Sequence, residues 1–480
     1  MTGRALAEVA IAPLPLERFR EVLDDAGYRE LLELQRRATA LLAGRVVWCV
    51  NSTARGGGVA ELLRSLLAYT RGAGVDSRWS VLQGTPAFFA ITKRLHNRLH
   101  GEIGDGGPLG HAERAEYEAV TAAGAQELAG LLRPGDVVIL HDPQTAGMAP
   151  ALRATGAHLV WRLHVGADEG NGLLQEAVAF LLPYVEIADA FVFSRRRFIW
   201  DVLDGSRAVV VAPSIDVFSP KNQAFGAETT RAILRVAGIL EPGATDAARF
   251  VREDGTPGRV DRPAVLVQDR PLRDRERYIA QVSRWDRLKD PVGVLEGFAR
   301  SAGGWAGAHV LLAGPAVEGV ADDPEAAAVL AEVTSARRQL PAPLRERVHL
   351  VSLPMADAEE NAAMVNAIQS RAAVMVQKSL AEGFGLTVTE AMWKARPLVV
   401  SRVGGIQDQV TDGVDGLTVD PHDIPGFGAA VGRLLQDREL AACLGAAARD
   451  RARTDFLEPR HLGQWVDIIE RLSSERAVGV

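Results

Sequence analysis

The sequence predicts an α/β protein built from two doubly wound halves, each a parallel sheet with helices on both faces. Short apolar runs at 45–51 and 136–143 alternate with segments such as 58–74, in which apolar residues recur at helical spacing. Strands that alternate with helices in this way form parallel sheets covered on both faces. A chain of 480 residues is too long for one ordinary core and therefore indicates two domains. Apolar residues make up 47% of the chain, which is enough to form their cores.

Two interruptions divide this strand–helix pattern. Residues 209–222 run from a strand into polar sequence punctuated by proline, a composition typical of an interdomain linker. Residues 241–277 are rich in charge, glycine and proline, and predict an inserted surface loop. We therefore predict one domain over 1–215 and a second over 216–455. Ligands of open parallel sheets lie outside the carboxyl ends of the strands, so two such halves facing each other would form a cleft lined by residues that follow strands.

Composition and charge argue against several classes of function. The net charge of −7 opposes general binding of nucleic acid, because no excess of basic residues would neutralise phosphates. No run of about 18 apolar residues occurs, so no membrane-spanning helix is expected. The two cysteines, Cys49 and Cys443, are far apart in sequence and predict neither a disulfide framework nor a metal cluster. Together with an N-terminus that makes a poor secretory signal, they indicate a cytoplasmic protein.

A glycine-rich stretch follows the first strand candidate. Gly56, Gly57 and Gly58 lie between that strand and a helix. Glycine lets the backbone approach a ligand closely, and the free N–H groups of a helix N-terminus attract an anion. The spacing is not G-x-G-x-x-G, which argues against a nicotinamide dinucleotide site. A tight strand–helix turn is the alternative interpretation.

Two cations follow the first strand of the second half. Arg284 and Lys289 lie five residues apart in "QVSRWDRLKDP" (281–291). An arginine can fork two phosphate oxygens and a lysine can add a point charge, so the pair can clasp a diphosphate. A solvated charge pair is the alternative.

The stretch "EGFGLTVTEAMW" (382–393) joins a strand to a helix and carries two acids. Gly383 and Gly385 allow close approach of the backbone, and the helix start offers free amides. Glu382 lies in the loop and Glu390 about one turn into the helix. A carboxylate that accepts two hydrogen bonds suits the vicinal hydroxyls of a ribose or a sugar ring. For Glu390 alone, the alternative is a solvated first-turn acid that favours the helix dipole.

Polar residues also follow strands of the first half, where they suit a small polyol with many hydroxyls. They are Asn97, His141, Asp142, Gln144, Arg162 and His164. A lone histidine is more often structural, but His164 ends a strand at the expected cleft and is predicted to be functional. Only 6% of the residues are aromatic, which argues against a long stacking platform for a glucan chain, although composition does not exclude a local one.

These motifs together resemble those of retaining GT-B glycosyltransferases. Glu382 and Glu390 are similar to the E-x7-E motif of that group, and Arg284 and Lys289 to the pair that holds the donor diphosphate. Finer stretches resemble trehalose-forming glycosyltransferring synthases over about residues 40–455. They are 57–63, 93–101, 141–148, 161–166, 213–222 and 282–291. Two departures are the longer segment 241–277 and "LHVG", which replaces the acid that usually follows "WR-x-H-x".

The resemblance implies a GT-B fold of two Rossmann-like domains, with the acceptor in the first and the nucleotide sugar in the second. It implies that a final helix, 456–480, returns to the first domain. Catalytic roles are implied for Arg284, Lys289, Glu382 and His164. Donor binding is implied for the glycine loop at 56–58 and, in the second half, for Gly383, Phe384, Gly385, Leu386 and Glu390. Acceptor binding is predicted for Asn97, Asp142, Gln144 and Arg162.

The reaction implied is transfer of glucose from a nucleoside-diphosphate glucose to free glucose, with retention, to form trehalose reversibly. No metal and no cofactor are expected, because the cations replace the metal ion. The alternatives are a sucrose- or glucan-forming glucosyltransferase of the same architecture and a catalytically silent nucleotide-sugar-binding protein. The sequence leaves open the donor base, UDP-glucose or ADP-glucose for example, the physiological direction and whether the chain forms a homodimer.

Overall fold

The computed structural model describes residues 4–54, 58–317 and 324–478, and the chain divides into two compact units. The first unit comprises Met1–Ser214 together with Glu458–Val480, and the second comprises Ile215–Leu457. Each unit has its own sheet and its own hydrophobic core, as expected for separate domains.

The first unit contains a seven-stranded sheet that is parallel except at one edge. Its strands are β1 (Leu6–Val9), β2 (Val47–Asn51), β3 (Ser77–Leu82), β4 (Val137–His141), β5 (His158–Leu163), β6 (Ala190–Phe193) and β7 (Ala208–Val210). The order across the sheet is β1-β3-β2-β4-β5-β6-β7, and β1 pairs antiparallel with β3. The central strands β2, β4 and β5 are buried along their whole length, which explains their nearly continuous apolar sequence.

Helices connect these strands. They are α1 (Asp25–Leu41), α2 (Gly58–Gly72), α3 (Pro86–Leu99), α4 (His111–Ala129), α5 (Asp142–Thr145), α6 (Ala149–Leu152) and α7 (Gly172–Val185). Several begin at a side chain that caps the helix: Asp24 accepts a hydrogen bond from Gly27 N, and Thr85 accepts one from Phe88 N. Such caps satisfy amides that have no partner within the helix, and each is worth about 1 kcal/mol.

The second unit contains a second seven-stranded sheet and a small hairpin. The strands are β8 (Arg249–Val251), β9 (Pro257–Arg259), β10 (Val265–Val267), β11 (Tyr278–Val282), β12 (His309–Pro315), β13 (Val348–Leu353), β14 (Val374–Gln377), β15 (Leu398–Ser401) and β16 (Leu417–Val419). The sheet order is β10-β13-β12-β11-β14-β15-β16, with β10 antiparallel to β13 and the other pairs parallel. The predicted pair of doubly wound parallel sheets is therefore confirmed.

The helices of the second unit are α8 (Ala227–Val236), α9 (Pro291–Ser301), α10 (Pro324–Gln339), α11 (Ala342–Arg345), α12 (Ala358–Arg371), α13 (Leu386–Trp393), α14 (Ile406–Gln409), α15 (Ile424–Gln436) and α16 (Arg438–Asp455). The last helix, α17 (Glu458–Val478), belongs to the first unit, where it packs against α1 and α2. The chain thus ends in the unit in which it began.

The segment 241–277 is more ordered than a plain surface loop. It forms the β8–β9 hairpin and supplies the edge strand β10. The backbone N–H groups of Asp261 and Arg262 donate to Glu360 Oε1 at 2.6 and 2.7 Å, which ties the segment to α12. The charged residues of this segment form ion pairs and backbone contacts with the rest of the unit. Local composition alone does not distinguish such a segment from a solvated loop.

Each sheet has one point where the strand order reverses. In the first unit the chain proceeds from β2 to β3 on one side and from β4 to β7 on the other, so the reversal lies between β2 and β4. In the second unit it lies between β11 and β14. Ligands of doubly wound sheets bind at the carboxyl ends of the strands that flank such a point. The segments that follow these four strands are therefore the candidate ligand-binding positions.

Candidate active site

The segment after β11 is shaped by two aspartates. Asp286 accepts a hydrogen bond from Leu288 N at 2.8 Å and starts a 3-10 turn over Arg287–Lys289. Asp290 adopts a left-handed conformation, with φ of 46°, and caps α9 through Gly293 N. Aspartate tolerates this conformation better than most residues. The two turns fix the direction in which Lys289 leaves the backbone.

Lys289 and Glu382, 93 residues apart in sequence, form an ion pair of 2.5 Å between Nζ and Oε2. Their side chains are only 15% and 13% exposed, so Lys289 is not the solvated cation of the alternative interpretation. The pair forms because β11 and β14 are neighbours in the sheet, and Leu380 N donates to Leu288 O to join the two segments that follow them. The topology brings the two predicted residues together at the reversal point.

Arg284 lies in the same segment but extends into solvent. Its side chain is 58% exposed and Nη2 lies 3.1 Å from Asp286 Oδ2. The segment that follows β11 therefore carries two cations in different environments, the exposed guanidinium of Arg284 and the largely buried ammonium of Lys289. Such a pair is suited to an anion that is bound from the solvent side.

Lys378 is a site-shaping residue that the sequence interpretation missed. It follows β14, is buried, forms an ion pair with Asp290 and donates to Pro421 O at 2.9 Å. A buried ammonium with these partners holds the segments at 286–290 and 378–382 together. The signal available in the sequence was a lysine placed directly after the apolar strand "VMVQ".

The loop at 382–386 depends on a second pair of glycines that was also missed. Gly385 has a φ of +90° and precedes α13. Gly404 and Gly405, which follow β15, pack against the loop: a Cβ at Gly404 would lie 1.6 Å from Glu382 O, and one at Gly405 would lie 2.6 Å from Gly383 O. Larger residues would clash with backbone and displace the loop. The signal available in the sequence was a Gly-Gly pair three residues after an apolar strand, similar to the glycines at 56–58.

Phe384 and Leu386 complete this loop. Phe384 is buried against Phe456, with ring centroids 5.8 Å apart, and its carbonyl accepts a hydrogen bond from Gln409. Leu386 begins α13, so its N–H belongs to the first turn and has no acceptor within the helix. The loop is therefore anchored by an aromatic contact on one side and presents helix amides on the other.

Glu390 is buried, which excludes the solvated first-turn acid that was the alternative. Gln369 Nε2 donates to its Oε2 at 2.7 Å, and Lys221 Nζ lies 3.6 Å from its Oε1. The carboxylate is thus fixed in orientation by an amide and compensated by a cation. It lies on the fifth residue of α13, as the sequence predicted.

In the first unit, Asp142 follows β4 in a left-handed conformation, with φ of 63°. Its Oδ1 accepts a hydrogen bond from His164 N at 2.9 Å, and its carbonyl accepts one from Trp161 Nε1 at 3.2 Å. Burial raises the pKa of the Asp142 carboxyl to about 7, although the His164 amide and the nearby Arg162 act in the opposite direction. Asp142 therefore bridges the ends of β4 and β5.

Three buried histidines surround Arg162, and we name these four residues the histidine–arginine cluster. His164 Nε2 lies 3.1 Å from His141 Nδ1 and 3.1 Å from Arg162 Nε, while His461 Nε2 lies 3.3 Å from Arg162 Nη1. Burial, and next the charge of Arg162, lowers the pKa of each histidine well below its ordinary value. The three imidazoles are therefore neutral, and Arg162 carries the only charge of the cluster.

The predicted acceptor residues occupy different environments. Arg162 is completely buried within its cluster, so it lies behind His164 rather than at a surface. Gln144 lies on α5 and is partly exposed. The prediction that Asn97 follows a strand is wrong, because Asn97 lies on the last turn of α3, partly exposed and beside Gly104. Across residues 4–54, 58–317 and 324–478, no hydrogen bond joins Asn97 or Gln144 to Asp142 or His164.

Only one glycine of the first glycine-rich stretch can be placed. Gly58 is exposed and begins α2, whereas Gly56 and Gly57 lie outside the described residues. The end of β2 is held by Asn51, whose side chain donates to Thr53 O at 2.7 Å and accepts from Trp79 Nε1 at 2.8 Å. The strand end that leads into the glycines is therefore fixed by a buried hydrogen-bond pair.

Two further properties concern only the described residues. No group of three or more His, Cys, Asp or Glu side chains among them is arranged to hold a metal ion. None of their helices combines the length and the apolar character that a membrane crossing requires.

Comparison with known proteins gives consistent results for both units. Residues 49–200 match the family model described as "Trehalose synthase, N-terminal domain", and residues 355–451 match "Glycosyl transferases group 1". The chain is 34% identical over 450 residues to a trehalose synthase of Rubrobacter xylanophilus, covering 93% of this chain and 94% of that one. It is 31% identical over 457 residues to a trehalose synthase of Pyrococcus horikoshii, covering 95% and 96%.

Among solved structures, the chain resembles an α,α-trehalose-phosphate synthase (UDP-forming) from Burkholderia xenovorans in complex with glucose-6-phosphate. The TM-score is 0.65 at 17% identity, over 89% of this chain and 100% of that one. Similarity at this level of identity shows the fold. Two parallel-sheet units of this kind, with a glycosyltransferase domain in the second, define an enzyme of the GT-B glycosyltransferase class. Within that class, the chain belongs to the trehalose synthase family, as its identity to full-length relatives shows.

Proposed function

We propose that this glycosyltransferase moves glucose from a nucleoside-diphosphate glucose to free glucose and forms α,α-1,1-trehalose with retention at the donor carbon. The observation that carries the proposal is the Lys289–Glu382 ion pair at the point where the strand order of the second sheet reverses, in a segment that also carries Arg284. This arrangement puts a cation next to a carboxylate, and a diphosphate sugar needs both: positive charge for the phosphates and hydrogen-bond acceptors for the hydroxyls.

Arg284 and Lys289 stabilise the diphosphate as it leaves. Negative charge grows on the phosphate oxygens when the bond to the sugar breaks, and fixed positive charge lowers the energy of that state more than that of the ground state. Lys289 is pre-oriented by Glu382, whereas exposed Arg284 closes on the phosphates when they arrive. Gly56, Gly57 and Gly58 are further candidates for phosphate binding, because backbone amides at a helix N-terminus attract anions.

The loop at 382–386 holds the glucose of the donor. Glu382 accepts hydrogen bonds from the hydroxyls of this glucose. Backbone amides of the loop donate to the oxygens of the same glucose; they belong to Gly383, Phe384, Gly385 and Leu386. The support for this role is the packing of the loop on Gly404 and Gly405, which presses the backbone into one shape. Glu390, fixed by Gln369, binds the ribose hydroxyls of the nucleotide through the oxygen that faces Lys221.

The first unit holds the acceptor glucose. Asp142 accepts from its hydroxyls, Asn97 and Gln144 add neutral donors and acceptors, and His164 contacts the transferred sugar. In the reaction the bond between C1 and the phosphate oxygen breaks, and a bond forms between C1 and the acceptor O1 on the same face. The acceptor proton passes to a phosphate oxygen, and the nucleoside diphosphate leaves. Because one glycosyl bond replaces another, trehalose and a nucleoside diphosphate should also yield some sugar nucleotide.

Product analysis tests the proposal directly. Incubation with glucose and each of ADP-, UDP- and GDP-glucose is expected to give a non-reducing disaccharide that trehalase splits into two glucose molecules. Preferred transfer to fructose or to a glucan would support a sucrose- or glucan-forming enzyme instead. Absence of turnover with every donor, despite measurable nucleotide binding, would indicate a silent binding protein.

Activity should not depend on a metal ion, because Arg284 and Lys289 supply the positive charge that a divalent cation supplies elsewhere. We expect the initial rate in excess EDTA to equal the rate without it, at matched ionic strength. A complete loss of rate that added Mg²⁺ or Mn²⁺ restores would contradict this part of the mechanism.

A further inference from the structure

The histidine–arginine cluster contains enough hydrogen-bond partners to determine where its protons lie. A guanidinium has only donors, so Arg162 Nε must donate to His164 Nε2 and Arg162 Nη1 must donate to His461 Nε2. Both of these Nε2 atoms are therefore unprotonated. Since both imidazoles are neutral, each carries its proton on Nδ1.

The proton positions of His164 and His461 also determine the hydrogen bonds that these two histidines make to His141 and Ser214. His164 Nε2 accepts from Arg162, so His141 Nδ1, 3.1 Å away, must be the donor in the contact between the two histidines. His461 Nδ1–H donates to Ser214 Oγ at 2.7 Å. The tautomers of three histidines thus follow from one charge that is not removed at neutral pH.

Burial makes this arrangement rigid. Arg162 has no exposed surface, its charge lies over the Trp465 ring at 5.4 Å, and Nη2 reaches Val211 O at 3.4 Å. His461 and Trp465 lie on α17, which the chain adds nearly 300 residues after Arg162. Helix α17 therefore packs against Arg162 and holds it in place.

We propose that Arg162, supported by His461, is a positioning residue that fixes His164 as the tautomer with its proton on Nδ1. The tautomer itself is independent of the proposed function, and only its role in binding the sugar rests on that function. His164 then offers a fixed N–H donor to an oxygen of the bound sugar, and its other nitrogen is engaged by Arg162. The other tautomer would leave two donors, Arg162 Nε–H and His164 Nε2–H, facing each other at 3.1 Å.

The tautomer is measured without reference to activity. We would label the ten histidines with ¹⁵N and record two-bond ¹H–¹⁵N correlations, in which protonated and unprotonated ring nitrogens differ in shift. Comparison with the His164→Gln variant assigns the His164 signals. We expect a protonated Nδ1 and an unprotonated Nε2 at neutral pH. A protonated Nε2 on His164 in the native protein would overturn the inference.

Variants then test the cause. Arg162→Met should remove the preference of His164 for its Nδ1–H tautomer. Arg98→Met, a matched buried arginine of the same unit that contacts Glu176 and Gly107 instead, should not. If Arg162→Met does not fold, His461→Gln and His461→Leu replace it. Glutamine keeps an acceptor for Arg162 and a donor for Ser214, whereas leucine keeps neither.

Kinetics give the functional consequence. We expect His461→Leu to lower kcat/KM by about tenfold or more, as losing an outer support typically does, and His461→Gln to restore most of it. Equal losses in both variants would show a purely structural role and reject positioning. If the native tautomer is as expected but no trehalose forms, the tautomer inference stands and the proposed function falls.

Discussion

Replacing Arg284 by alanine is expected to lower turnover by about a hundredfold or more, on the scale of removing one donor that acts in the transition state. The side chain is 58% exposed, so folding should survive. Because the proposed role of the guanidinium is to stabilise the leaving phosphates, the loss should appear in kcat as well as in kcat/KM. Initial rates over a range of donor concentrations, with the thermal midpoint recorded for the same samples, measure both quantities.

Arg287 provides a matched control in the same segment. Its side chain is 56% exposed, but it pairs with Glu325 and Glu332 on α10 and not with the Lys289–Glu382 pair. Arg287→Ala removes the same charge three residues away and should leave turnover close to that of the native protein. If the two variants lose activity equally, the effect is one of general electrostatics. A fully active Arg284→Ala variant would remove Arg284 from the mechanism.

The fold class could be predicted from the sequence because strands and helices are indicated by short, local residue patterns. The strands predicted at 45–51 and 136–143 are apolar and short, and the helical segment predicted at 58–74 is periodic, so each could be recognised from a few neighbouring residues. The same holds for a loop such as 382–386, where glycine stands between a strand and a helix. These elements lie where they were expected.

What the sequence could not indicate depends on long-range pairing. The Lys289–Glu382 contact exists because β11 and β14 are adjacent, and this order is a property of the sheet rather than of either segment. Arg162 contacts His461, which lies 299 positions later in the sequence. No local pattern therefore shows that Arg162 is a buried residue that orients its neighbours rather than one that contacts a sugar. For Glu390, the sequence left a solvated first-turn acid open as the alternative to ligand binding, because burial of this side chain depends on its contact with α12.

Breaking the Lys289–Glu382 ion pair should have the second large effect, and a double-mutant cycle separates its two parts. Lys289→Met removes the ammonium but keeps most of the apolar length, while Glu382→Gln keeps the shape and removes the charge. Each single change should lower kcat/KM for the sugar nucleotide by about a hundredfold, since each removes a proposed contact to the substrate and also the partner that orients the other. Losses that depend on one shared contact are not additive, so the double variant should lose much less than the product of the two.

Stability should respond differently from activity in the same cycle. With the lysine gone, the carboxylate of Glu382 remains largely buried without its counter-charge, so Lys289→Met should lower the thermal midpoint. The double variant, which buries no unpaired charge there, should recover part of that loss while staying inactive. Arg235→Met is the control, because Arg235 is 16% exposed, pairs with Asp274 at 2.6 Å and has no part in the site; it should lower stability without lowering turnover. Additive losses of kcat/KM in the double variant would show that Lys289 and Glu382 act independently, and the ion pair would then be a feature of the structure that catalysis does not use.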